Sequence, residues 1–194
     1  MKIYDITQEL FSCNVYPGDP EPKKEQLCSI ENGDVCNLTA LSLCAHNGTH
    51  IDAPYHFFSE GKTVDMLPLS KTVGDCYVAE HNGDIDSEDA FEILKKADGV
   101  SRVLLKGELT VTAQAARVFA EAGIDLLGNE SQTVGPQDAP MEVHKILLSH
   151  DIVLLEGIRL SHVPEGRYLL CAQPLDLAGC DGAPVRAILI LPKG

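Results

Sequence analysis

The chain has 194 residues, with 15 Lys plus Arg against 29 Asp plus Glu and a formal charge of −14. That length fits one domain, and the sign of the charge argues against nucleic-acid or anionic-membrane partners, whose phosphates need a basic surface. Hydrophobic residues at 44% and charged residues at 23% exclude a disordered chain. No apolar run approaches the roughly 20 residues that span a bilayer. The start, Met1-Lys2-Ile3-Tyr4-Asp5, lacks the basic-then-apolar order of a signal peptide, so a cytoplasmic location is expected. The seven cysteines are odd in number, widely spaced and never in CxxC, which points to reduced thiols.

In chain order, residues 3–7 read as a strand, Tyr16-Pro-Gly-Asp-Pro as a turn, and residues 35–45 as a half-buried strand. Beyond residue 87 helices and strands alternate. Ser87 caps a helix carrying Phe91, Leu94 and Ala97, with Gly99 past its end, and an apolar strand follows over 100–106. Thr112 caps a second helix over 113–122, closed by Gly123, and a short strand follows over 124–127. Pro140 suits the first turn of a third helix running to about residue 149, ahead of a strand over 152–155. Two more strands, 168–172 and 185–191, flank a Gly- and Pro-containing stretch over 174–184. The βαβαβ order predicts a single α/β domain over 1–194, with a parallel central sheet and right-handed crossovers. Additional, antiparallel strands are expected from the N-terminal third and the C-terminus.

The segment His46-Asn-Gly-Thr-His50-Ile-Asp52-Ala-Pro-Tyr-His56-Phe57 places three of the seven histidines and one aspartate within eleven residues. Imidazole and carboxylate are the usual protein ligands of zinc and similar ions. Gly48 and Pro54 disfavour a helix and favour a shaped loop. In an extended stretch, residues two apart share a face, so His50 and Asp52 point one way, with His46 brought round by the turn at Gly48. A corner of three ligands leaves a cation open. Glu156, at the carboxyl end of the 152–155 strand, and His144, on the preceding helix, offer completion. Three other motifs fail. The P-loop glycine would have to fall at His56, a calcium-loop glycine would fall at Asp89, and the consecutive Ser149-His150-Asp151 cannot form a relay.

The motif His46-x-Gly-Thr-His50-x-Asp52-Ala-Pro-x-His56-Phe resembles the signature of the cyclase family of metal-dependent hydrolases, which includes bacterial kynurenine formamidase and isatin hydrolase. Asp5-Ile-Thr, Pro17-Gly-Asp-Pro, Val143-His-Lys, Leu155-Glu, Val163-Pro-Glu-Gly-Arg-Tyr and Asp181-Gly-Ala-Pro-Val-Arg-Ala are similar to family landmarks in the same order. The resemblance implies a swivelling β/β/α-type fold, assembled as dimers or larger homo-oligomers. It also implies a centre for two divalent metal ions, zinc first, with manganese or iron as alternatives that the donor types suit equally. His46, His50 and Asp52 would hold one ion and Asp52, His144 and Glu156 the other, with Asp52 and Glu156 bridging. His56 would be the unligated proton donor and acceptor. The implied activity is hydrolysis of a small amide such as an arylformamide. A close variant opens a cyclic amide or a lactone, and a rival reading is a metal- or ligand-binding protein without turnover. The formamidases usually carry Trp before Pro-Gly-Asp to hold the substrate; here Tyr16 stands there, and the chain has no Trp.

Overall fold

The structure, a computed structural model, describes residues 1–191; the last three residues of the expected domain lie outside the described residues. Nine strands form one mixed sheet. Its middle is parallel: β5 (Val73–Glu80), β7 (Arg102–Lys106), β9 (Leu126–Asn129) and β10 (Val153–Glu156) lie side by side in that order. Beyond β5 come three antiparallel strands, β11 (Gly166–Cys171), β13 (Ile188–Leu191) and β1 (Lys2–Asp5). Beyond β10 come two more, β4 (His50–Asp52) and β12 (Gly182–Pro184). Two short ribbons stand apart: β2 (Lys23–Cys28) with β3 (Leu38–Ser42), and β6 (Gly83–Ile85) with β8 (Leu109–Val111).

A one-turn helix α1 (Leu69–Thr72) leads into β5, and three longer helices, α2 (Ser87–Ala97), α3 (Ala113–Glu121) and α4 (Met141–Ser149), make the crossovers. They cover one face of the sheet. Val103, Leu105, Leu127, Ile152 and Leu154 point into that helix-side core, where Phe119 and Leu147 are fully buried. Leu104, Leu126, Val153 and Leu155 point the other way, onto Tyr4, Ile51, Tyr168 and Leu189. The middle strands are thus buried on both faces, which is why they read as unbroken apolar runs rather than alternating ones. No helix among the described residues is long and apolar enough to cross a membrane.

Several expectations are corrected. The half-buried strand expected over 35–45 is the shorter β3, mostly exposed, in the ribbon outside the main sheet. Its apolar residues mimic a buried face but meet no core, and Val35 is fully exposed. The helix expected from Ser87 is capped instead by Asp86, whose carboxylate accepts from the Glu88 and Asp89 amides while Asp89 reciprocates at the Asp86 amide. A carboxylate both fills the orphan donors and faces the positive end of the helix dipole, so it outcompetes the neighbouring serine. β5 went unrecognised because Gly74 and Asp75 interrupt its apolar pattern, and β12 lies inside what reads as a Gly-Pro loop.

The Thr112 cap is present: its hydroxyl accepts from the Ala115 amide and donates to the Ile85 carbonyl, tying α3 to β6. Thr112→Ala is expected to lower stability by about 1 kcal/mol in urea unfolding, and an unchanged midpoint would count against the cap.

Candidate metal centre

The pairing of β4 with β10 builds the site. Glu156 lies opposite His50, and Leu154 opposite Asp52. Opposite residues in an antiparallel pair share a face, so His50, Asp52 and Glu156 project together on the helix side of the sheet, while Ile51 and Leu155 enter the core behind. α4 hangs His144 over them. His46 is delivered by the turn before β4, where Gly48 takes φ +65°. His56 ends a short 3-10 turn, Pro54–His56, just past the strand. The segment expected to be a shaped loop thus contains a three-residue strand, with the turn at Gly48 as anticipated.

Asp52 is the common member. Its Oδ1 lies 2.9 Å from His46 Nδ1 and 3.3 Å from His50 Nε2, and its Oδ2 lies 3.6 Å from His144 Nε2. Glu156 presents Oε1 3.2 Å from His144 Nε2 and Oε2 3.5 Å from His50 Nε2, and Oε1 also accepts from the Val134 amide at 2.7 Å. Both carboxylates are at most 2% exposed, and among the described residues no Lys or Arg makes an ion pair with either. Among the described residues, two sets bring donor atoms within 4.8 Å of one another: His50 with Asp52 and Glu156, and His46 with Asp52 and His56. This differs from the grouping implied by the resemblance, which puts His50 with His46 and leaves His56 free; the two agree that Asp52 is shared.

The donor set fits a divalent cation for a specific reason. His50 Nδ1 is paired with the Gly48 carbonyl at 3.0 Å, His144 Nδ1 with the Pro140 carbonyl at 2.9 Å, and His46 Nε2 with Asp181 Oδ2 at 2.8 Å. A ring nitrogen facing a backbone carbonyl must carry a hydrogen, whereas His46 faces a carboxylate at both nitrogens, Asp181 at Nε2 and Asp52 at Nδ1. The other nitrogen of each ring is then left to face the buried carboxylates, as in ligating histidines whose second nitrogen is tied off by the protein.

Electrostatics agree. Burial disfavours the charged form of each ring. In His46 the Asp52 charge and the hydrogen bonds to Asp181 and Asp52 outweigh it and push the pKa to about 11. His50 is raised to about 9 by hydrogen bonds to Asp52 and Glu156, and His144 to about 9 by Glu156 and the Asp52 charge. Burial would raise Asp52, but His46 and His50 hold it well below the usual carboxylate range. A chelated chain therefore keeps protons on these rings at neutral pH. A group with a folded pKa above its unfolded value near 6.5 stabilises fully below that value, and the contribution disappears as pH rises through the folded value. The Tm of the chelated chain is thus expected to fall between pH 7 and about 9, whereas a zinc-loaded chain, whose rings bind cation instead of protons, should hold its Tm better over that range. Thermal scans with and without chelator test this; identical profiles would contradict it.

Behind the cluster, a polar layer fixes the loops. Thr49 Oγ1 donates to the Gly157 carbonyl and accepts from the Gln8 amide; Gln8 Nε2 reaches Gly157 O and Gln132 Oε1; Gln132 Nε2 donates to Gly48 O. Gly157 has φ +68°, and a Cβ there would stand 2.3 Å from Gly48 O, so only glycine lets the chain turn directly after Glu156.

The cluster opens into a cavity of about 200 Å³, with Tyr16, Phe57, Thr133 and Pro140 among its walls. The Tyr16 hydroxyl donates to the Gln137 carbonyl at 3.1 Å, away from the cluster, and the Phe57 ring stands 4.9 Å from that of His144. Thr133 is buried with no partner for its hydroxyl among the described residues, which leaves it free to meet a bound molecule. A larger groove of about 960 Å³ beside α3 and α4 has Arg117, Met141 and Lys145 in its walls and none of the clustered residues. Every residue expected at the site reaches the cluster or its cavity. Asp181 was missed as a site residue. It bonds His46 and also His56, at 3.1 Å, and these two hydrogen bonds hold its carboxyl far below the usual range.

A buried set of imidazoles and carboxylates at the end of a parallel sheet, open to a small cavity, defines a metal-dependent hydrolase. The chain belongs to the cyclase family: the family model described as "Putative cyclase" matches residues 4–136. It is 36% identical to the kynurenine formamidase of Salinibacter ruber, over 97% of each chain. It is 33% identical to the kynurenine formamidase of Erythrobacter litoralis, over 97% of this chain and 93% of that one. Among solved structures, a potential metal-dependent hydrolase with cyclase activity superposes with a TM-score of 0.84 at 30% identity, covering 100% of this chain and 99% of that one.

Proposed function

We propose that the chain hydrolyses the C–N bond of a small arylformamide, of the kind named for its kynurenine formamidase relatives, with divalent metal at the Asp52 cluster. The observation that carries this reading is the buried pair Asp52 and Glu156, faced by three imidazoles, each with one ring nitrogen held by a carbonyl or by Asp181. We assign His46, His50 and Asp52 to one ion and Asp52, His144 and Glu156 to a second, with zinc as the first choice. Manganese and iron suit the same donors. Divalent metal at these residues would supply a water activated near neutral pH and a Lewis acid for the carbonyl to be attacked.

The side chains supply the rest. An amide nitrogen is too basic to leave as an anion, so it must be protonated as the bond breaks. His56, at the cavity wall with Nδ1 paired to Asp181, offers Nε2 to take a proton from the attacking water and pass it to that nitrogen. Tyr16 and Phe57 form the aromatic walls, with Tyr16 in the role of the missing Trp.

The reading includes a homo-oligomer, dimer or tetramer. Leu27, Leu38 and Leu41 are all exposed on the β2–β3 ribbon, and an isolated two-stranded ribbon is marginal without cover. The reading also includes a cytoplasmic location, which seven free, widely spaced thiols support. The test is elemental mass spectrometry of chain purified without added metal or chelator, followed by assays on N-formylkynurenine, formanilide, a cyclic amide and a lactone, with sedimentation for assembly. Near two equivalents of metal and chelator-sensitive formamide hydrolysis are expected. Preference for the cyclic amide or lactone would move the substrate within the family, and no metal-dependent hydrolysis at all would favour a binding protein.

A further inference from the structure

The carboxylate that sequence reasoning missed does something no cation ligand does: it holds two histidines of different duty with one oxygen. Asp181 Oδ2 is 2.8 Å from His46 Nε2 and 3.1 Å from His56 Nδ1. The two rings lie side by side and tilted, with centroids 4.1 Å apart and planes 37° apart. We propose that Asp181 is a positioning residue that fixes the ring orientation and tautomer of His56 and locks it to His46, so that the proton carrier and the metal ligand keep one fixed separation. The proposal rests on the metal-hydrolase reading above.

Three features support it. The first is anchoring. The Asp181 carbonyl accepts from the Ala53 amide, the Cys180 carbonyl accepts from the Val64 amide, and Gly182–Pro184 pair with His50–Asp52. The carboxylate is therefore fastened by main chain to the strand that carries His50 and Asp52. The second is need. His56 sits at the end of a one-turn element and is partly exposed, and among the described residues no hydrogen bond other than that to Asp181 holds its ring. The third is chemical fit. An ionised carboxylate only accepts, so it selects the His56 tautomer with hydrogen on Nδ1 and leaves the Nε2 lone pair for proton transfer. The same oxygen, by taking the His46 Nε2 hydrogen, leaves His46 Nδ1 to face Asp52. One group thus sets the working nitrogen of both rings.

The test uses the full zinc-loaded chain and four forms: wild type, Asp181→Ala, His56→Ala and the double variant, with Asp181→Asn as a conservative control. At saturating zinc, Asp181→Ala is expected to lower kcat for a formanilide by about 10–100-fold with KM little changed, the range typical of losing a carboxylate that orients a histidine. Asp181→Asn, which keeps one acceptor, should recover part of the loss. In the His56→Ala background the same change should cost less than about threefold, because a residue acting through His56 has nothing left to act on. The second readout needs no turnover: ring ¹⁵N shifts should report the Nδ1-protonated tautomer of His56 in the wild type and a shift toward the Nε2-protonated form in Asp181→Ala. Unchanged ring shifts, or the full rate loss persisting in the His56→Ala background, would overturn the proposal. If the wild type hydrolyses no amide, the hydrolase reading fails, and the ring shifts alone still decide whether Asp181 sets His56.

Discussion

Asp52→Asn is expected to strip the chain of metal and reduce hydrolysis by at least about 10⁴-fold, with the fold retained. The size follows from what the cation supplies, since without it the pKa of the attacking water returns from about 7 to near 16 and hydroxide becomes scarce at neutral pH. The choice of residue follows from geometry. Among the described residues, Asp52 is the one group whose oxygens face His46, His50 and His144 together, and it belongs to both donor sets. Asparagine keeps the shape but loses the charge, so His50 and His144 are left with Glu156 alone and His46 with Asp181. Metal content by elemental mass spectrometry, far-UV circular dichroism and the hydrolysis rate are the measurements. A variant that keeps its metal and its full rate would place the centre elsewhere.

The parts of the fold visible in the sequence are those set by local pattern. Helices α2 and α3 announce themselves by capping residues and terminal glycines and α4 by Pro140 in its first turn, and β7, β9 and β10 by their apolar runs. What stayed hidden depends on pairing between distant segments. β12 is three residues long and contains Gly182 and Pro184, so nothing local marks it as a strand; it exists because it pairs with β4. That pairing is also what brings Asp181 to His46, 135 residues away in the chain. The candidate ligands were legible for the opposite reason. Four of the six residues assigned to metal binding and proton transfer fall within His46–His56, and the other two sit where helix and strand periodicity places them. Which donors stand together was not legible, because that depends on ring orientation, and the His50, His144 and His46 rings are each held by a single hydrogen bond, to Gly48, Pro140 and Asp181.

His56→Ala should separate the two roles open to that ring. Its donor atoms lie within 4.8 Å of those of His46 and Asp52, close enough to share a cation, yet Asp181 holds its Nδ1 as it would hold the ring of a proton carrier. If His56 carries the proton, the alanine variant keeps its metal and loses about 10²–10⁴-fold in kcat on an amide, the range of a general acid–base catalyst. The loss should depend on the leaving group. A formanilide must have its nitrogen protonated, whereas a nitrophenyl ester expels a stable anion unaided, so the ester rate should fall far less than the amide rate. A ligand role makes the opposite forecast: metal content drops, and both substrates suffer alike because the activated water is lost with the ion. Metal content together with the amide-to-ester ratio therefore assigns His56 from one variant. The same ratio measured for Asp181→Ala should move in the same direction if that carboxylate acts through His56.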